Sequence, residues 1–177
     1  MIIFRAFLLL ILWIPSSYGS ELKTYAASAP YFNYSIDYPS NWELGDIYGF
    51  VQVTSSLESE SDNFKENVKV TVSDLDKKPL SLEEFDALWL KMVPRELSNF
   101  KLVNEGKSMI GGDIGYEKEA LFHIYTGVKD TKNMKCKRYT FKNNTNIYGL
   151  TYEAEEKDFD KYLPQAEHII RSIKVTR

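Results

Sequence analysis

Residues 32–42 read Phe32-Asn33-Tyr34-Ser35-Ile36-Asp37-Tyr38-Pro39-Ser40-Asn41-Trp42. Phe32, Tyr34, Ile36 and Tyr38 fall on one face of an extended chain, and Asn33, Ser35 and Asp37 on the other. That period of two marks a half-buried strand. Pro39 has no amide hydrogen for a ladder and holds Tyr38 extended, so the strand ends there. Ser40-Asn41 turns the chain, and Trp42 is placed to close over the strand end. The stretch carries no evident catalyst; it speaks for a fold.

Upstream, Ser20 to Pro30 is polar, alanine-rich and without period, and reads as a flexible leader. Residues 1–19 hold one charge, Arg5, then an apolar run from Ala6 to Ile14, then Pro15 and small residues. That is a signal-peptide pattern with a cleavage flank at Ser17 and Gly19; an uncleaved membrane anchor is the alternative. The expectation is an exported chain, periplasmic or extracellular, with residues 31–177 as a single domain and no membrane span after cleavage. Without residues 1–19, 21 basic residues stand against 25 acidic ones, a net charge of −4. A mildly acidic, mixed surface argues against nucleic acid as a partner. Cys136 is the sole cysteine, so no intramolecular disulfide forms and stability rests on packing. It reads as a small core residue or one near a sheet face.

Downstream, Glu43 to Tyr48 reads as an irregular crossing and Gly49 to Ser55 as a strand. Ser56 to Glu66 is a solvated acidic loop. Asn67 to Leu75 is a strand with Val68, Val70 and Val72 inward. Ser81 and Glu84 form a capping box before a helix whose apolar stripe is Leu82, Phe85, Trp89 and Met92, with Asp86 mostly elsewhere. Phe100 to Ser108 and Asp113 to Tyr125 read as strands joined at Gly111-Gly112. After a polar loop, Gly127 to Asn133, comes a hairpin of Met134 to Lys142 and Asn146 to Ala154, turned at Asn143-Asn144-Thr145. A last helix carries Phe159, Tyr162, Leu163, Ala166, Ile169, Ile170 and Ile173. Pro164 places its main part from about Leu163 onward. The sum is an α+β fold: a twisted, mainly antiparallel sheet of about seven strands flanked by two principal helices.

In order and spacing these segments resemble the PsbP-like family. Phe-x-Tyr-x-Ile-x-Tyr-Pro-x-x-Trp at 32–42 is similar to its opening motif. Asn67-Val-x-Val-x-Val, Ser81-Leu-Glu-Glu-Phe85, Phe100-Lys-Leu-Val-x-Glu-Gly106, Tyr148-x-Leu-Thr-Tyr152 and Phe159-Asp-Lys-Tyr-Leu-Pro164 follow in turn. The resemblance implies an α/β/α sandwich. It also implies kinship with extrinsic proteins of the photosystem II oxygen-evolving complex, which assist calcium and chloride retention, and with exported bacterial proteins. It carries no catalytic motif onto this chain.

The residues themselves point the same way. His123 and His168 are far apart in sequence, and no elbow motif supplies a nucleophile beside either. Gly111-Gly-Asp-Ile-Gly115 lacks the lysine of a phosphate loop. Glu117 and Glu119 share a strand face as surface acids. The expectation is therefore no enzyme, no catalytic residue and no resident cofactor. The leading reading is an exported, non-catalytic binding or assembly module whose partner is an envelope protein or membrane complex. One alternative is a divalent-cation-assisted accessory protein, with Glu58, Glu60 and Asp62 as weak ligands for calcium, manganese or zinc. The loop lacks the glycine and terminal glutamate of a calcium site. Another is a small-ligand carrier or hydrolase using a pocket between sheet and helix.

Overall fold

The computed structural model describes residues 21–29, 32–47, 50–76, 78–111 and 117–176. The signal-like segment 1–19, Gly112 of the expected Gly111-Gly112 turn and the first residues, 113–116, of the strand expected after it lie outside these residues. Among the described residues, ten strands form two antiparallel sheets, accompanied by two α-helices. The small sheet has the order β1 (Leu22–Ala29), β2 (Phe32–Pro39), β10 (Lys174–Thr176). The large one runs β3 (Glu43–Ile47), β4 (Phe50–Thr54), β5 (Asn67–Asp74), β9 (Asn146–Glu155), β8 (Lys132–Asn143), β7 (Lys118–Lys129), β6 (Ser98–Ile110). The expected α+β sandwich, with a seven-stranded sheet and two principal helices, is what the chain forms.

Alternation decides the layers. On β9, Tyr148, Leu150, Tyr152 and Ala154 are buried with Val68 and Val70 of β5 and Tyr139 and Phe141 of β8. Helix α2 (Phe159–Arg171) and strand β2 cover this face through Ile169, Ile170, Tyr34 and Ile36. Trp42 is 4% exposed and meets Tyr162 edge-on, so it does close over the end of β2. The opposite face of the large sheet carries helix α1 (Leu82–Met92) and a 3-10 turn, Val93–Arg95, which closes a smaller core of Val93, Leu97, Tyr125, Met134 and Cys136.

Several expectations need correction. Leu22–Ala29 is not a loose leader: it pairs along all of β2 from Leu22↔Pro39 to Ala29↔Phe32. Its weak apolar signal reflects an edge strand with most residues exposed. Glu43–Ile47 is a strand, not a crossing, zipped to β4 from Glu43↔Thr54. The polar stretch Gly127 to Asn133 is not a loop. Pairing runs through Lys129↔Lys132, leaving Asp130 and Thr131 as a two-residue turn with φ of 49° and 70°, the geometry that matches strand twist in a hairpin. Helix α2 starts at Phe159, with Pro164 inside it rather than in its first turn. Helix α2 is followed by β10, which pairs with β2. On α1 the capping box forms as expected, but the buried residue is Asp86, and Met92 is exposed.

Candidate functional site

The α1 face of the large sheet carries a polar row set by register. Lys69 of β5 lies opposite Thr151 of β9, Thr151 opposite Arg138 of β8, Arg138 opposite His123 of β7, and His123 opposite Glu105 of β6. Each belongs to the same alternating set, so all five side chains rise from one face. Asp86 descends on the row from α1. It lies four residues after Leu82 and three before Trp89, on the side of the helix that meets the sheet. His123 Nε2 is 3.3 Å from Asp86 Oδ2 and 3.6 Å from Glu105 Oε2. His123 is 3% and Asp86 6% exposed; His123 Nδ1 and Asp86 Oδ1 have no hydrogen-bond partner among the described residues. Burial pushes the Asp86 carboxyl above its ordinary value, against the pull of His123 and Arg138.

Arg138 is the centre of the row. It is 6% exposed. Its Nε donates to Thr140 Oγ1 at 3.1 Å and its Nη1 to Thr151 Oγ1 at 2.9 Å. Its guanidinium carbon sits 4.5 Å from the centre of the Trp89 ring. Below it lies Gly149, where an added Cβ would come 2.1 Å from Nη2. The guanidinium is thus held flat between an indole and bare backbone. Desolvation lowers its pKa to about 10, so it remains charged at neutral pH. No carboxylate oxygen of the described residues lies within ion-pair distance of it; Asp86 and Glu96 act on it only at longer range.

Arg138 forms part of the wall of a cleft of about 330 Å³ between α1 and the sheet. Trp89, Phe85, Met92 and Leu97 supply an apolar side, and Thr71 and Thr151 hydroxyls line the floor. Lys69, Lys129 and Arg138 bring three positive charges against Glu96 and Glu153. Glu153 is already held by Lys69 at 2.7 Å and Lys129 at 3.6 Å. A shallower depression of about 410 Å³ over β3–β5 shares Lys69 and Thr71 with the cleft and leads to Phe50, which is 57% exposed.

Apart from His123 and Trp89, the residues singled out in the sequence lie elsewhere. Glu58 accepts hydrogen bonds from Lys161 and Tyr162, which hold its carboxyl below the ordinary range. Asp62 accepts the Glu58 and Phe64 amides and so shapes its own loop. Glu60 is exposed, and the described residues bring together no three such side chains able to hold a metal ion. Cys136 is buried in the smaller core, and burial lifts its thiol to about 12. His168 is exposed on α2. Glu119 pairs with Lys107 on the surface. Trp89 is both core and cleft wall.

No protein-family model matches the chain, and no curated protein matches it. Solved structures do. The chain is similar to cyanobacterial PsbP (CyanoP) from Synechocystis sp. PCC 6803, with a TM-score of 0.60 over 89% of this chain and 94% of that one, at 14% identity. The fold is PsbP-like. A second PsbP-like neighbour is LpqN of Mycobacterium tuberculosis, a protein involved in cell envelope biogenesis. It has a TM-score of 0.59 and 14% identity over 88% of this chain and 92% of that one. The expectation drawn from Phe32–Trp42 and the later segments is met at the level of fold. No helix among the described residues is long and apolar enough to cross a membrane.

Proposed function

We propose that this protein is an exported, non-catalytic binding module of the cell envelope, working on an envelope protein or membrane complex. The observation that carries the reading is the cleft beneath α1. It is an open concavity with a floor of paired strands, the kind of site in which binding residues are held by rigid elements. Export is supported by the signal pattern of residues 1–19, and an envelope role by the fold shared with LpqN. A binding role rather than catalysis is supported by the setting of Cys136 and His123, neither of which lines the cleft. The Cys136 thiol, at about 12, is protonated at neutral pH, and His123 faces carboxylates instead of a nucleophile. The test is fractionation of the full chain with N-terminal sequencing, followed by cross-linking in place. The expected result is a mature chain starting near Ser20 in the envelope fraction, cross-linked reproducibly to one envelope component. An unprocessed chain in the cytosol, or the repeated absence of any cross-linked component, overturns it.

A further inference from the structure

We propose that the cleft beneath α1 binds a small amphiphilic anion, its head held by Arg138 and its apolar body lying along Trp89 and onward past Thr71 towards Phe50. The proposal rests on the reading of the protein as a binding module and names the ligand chemistry.

The argument begins with charge. A buried guanidinium is costly unless a counter-charge or a full set of acceptors compensates it. Arg138 is 94% removed from solvent, yet its acceptors are two neutral hydroxyls. A guanidinium has five donor hydrogens, so the remaining three have no acceptor among the described residues. Neither carboxylate that acts on it reaches it: Asp86 faces His123, and Glu96 of the cleft wall lies beyond ion-pair distance, while Glu153 is held between Lys69 and Lys129. A structural arginine would be expected to face one of them. This one is instead clamped at fixed orientation by Trp89 above and Gly149 below, with its edge in the wall of a cleft. A planar fork fixed in that way is suited to an oxyanion with two oxygens. The walls carry one net positive charge on a chain whose net charge is −3.

The shape supplies the second half. The wall opposite the threonines is apolar, and about 330 Å³ holds a chain of several carbons besides the head. Beyond Lys69 and Thr71 the same sheet face continues to exposed Phe50. An inorganic anion would leave both surfaces unused; an amphiphile covers them.

The experiment is titration calorimetry on the purified mature chain with octanoate, and with octanamide as the neutral control of the same length. Octanoate should bind, and octanamide at least about tenfold more weakly, since it cannot make charge-assisted bonds. Arg138→Met, which replaces the buried charge by an apolar chain of similar reach, should lose about tenfold or more in octanoate affinity. Glu96→Gln removes an opposing charge at the cleft and should strengthen octanoate binding about two- to threefold. Its direction is informative even where Arg138→Met fails to fold. Flotation with phosphatidylglycerol and phosphatidylcholine vesicles separates two sources of the same chemistry. Arg138-dependent flotation with the anionic vesicles alone assigns the anion to a lipid headgroup, whereas octanoate binding without flotation assigns it to a free molecule. Equal binding of octanoate and octanamide, unchanged affinity in Arg138→Met, or no binding of either octanoate or vesicles overturns the proposal. Such a failure leaves the envelope assignment standing; cytosolic retention in the fractionation would remove that assignment and leave the anion result.

Discussion

Gly149→Ala is the sharpest probe of how Arg138 is seated. An added Cβ would lie 2.1 Å from Nη2, 2.6 Å from Cζ and 2.8 Å from Nη1. These are contacts that no real Cβ makes, so something must move. The guanidinium ends a flexible side chain, so it will shift rather than the strand. The cost is that of the contacts it gives up. Two hydrogen bonds to a charged donor and one cation–π contact are together worth about 3.5–8 kcal/mol before rehydration. Hydration of the displaced group in the cleft recovers part of this, and replacing glycine in a strand recovers about 0.4–1 kcal/mol. The net expectation is a loss of about 2 kcal/mol, or roughly 4–8 °C in Tm for a chain of this size. The assay is denaturant unfolding of the parent, Gly149→Ala, Arg138→Ala and the double variant. In the Arg138→Ala background the same glycine substitution should cost nothing, giving a coupling of about 2 kcal/mol. A loss under about 0.5 kcal/mol in the parent, or an equal loss in both backgrounds, would refute the seating argument.

Three further outcomes are expected. Trp42→Ala removes an indole that is 4% exposed and packed on Tyr162, so thermal unfolding should show a loss of about 3–5 kcal/mol. Cys136 should resist thiol-specific labelling at pH 8 while folded and react at once in denaturant, because burial holds its thiol at about 12. Burial raises the Glu167 carboxyl, but hydrogen bonds from Lys137 and Tyr139 and the charges of Lys137 and Arg171 outweigh it and hold the carboxyl below its ordinary 4.5. The lowered carboxylate contributes stability above its unfolded value, and that contribution is lost as pH falls through the folded value. Glu167→Gln should therefore flatten the stability profile below about pH 4.5, read by chemical denaturation at stepped pH.

Strong local patterns are legible in the amino-acid sequence. Val68, Val70 and Val72 alternate cleanly, Ser81 and Glu84 cap α1 as their spacing predicts, and Asn144 turns the β8–β9 hairpin with φ of 55°. Strands β1, β3 and β10 are not legible there, because edge strands expose most side chains and owe their form to a partner far away in sequence. The polar row is harder still to read. Asp86, His123 and Arg138 are joined by register and by one helix face, neither of which a local window reports. One signal does exist. In β8 the alternating set Met134, Cys136, Arg138, Thr140 mixes apolar and charged residues, and so does Lys135, Lys137, Tyr139, Phe141. A strand with apolar residues in both sets is covered on both faces, which leaves its arginine buried. Asp86 in turn shares the stripe of Leu82 and Trp89, and a helix face counted as 82, 86, 89 and 93 puts a carboxyl on the sheet.

The pairing of β10 with β2 joins Lys174 to Ser35 and Thr176 to Asn33. The third strand of the small sheet therefore joins β2 from 139 residues further along the sequence, Lys174 against Ser35. During synthesis, β1 and β2 must wait as an incomplete pair, with the far side of β2 open. Contacts this distant in sequence form late and slowly. A chain cut short of Lys174 would keep the hairpin β8–β9 and the capped helix but leave β2 with an unpaired edge, the kind of edge that recruits strands from neighbouring chains. Residues 174–176 thus seal the open edge of β2, and their arrival marks the point at which the small sheet becomes safe from other copies of itself.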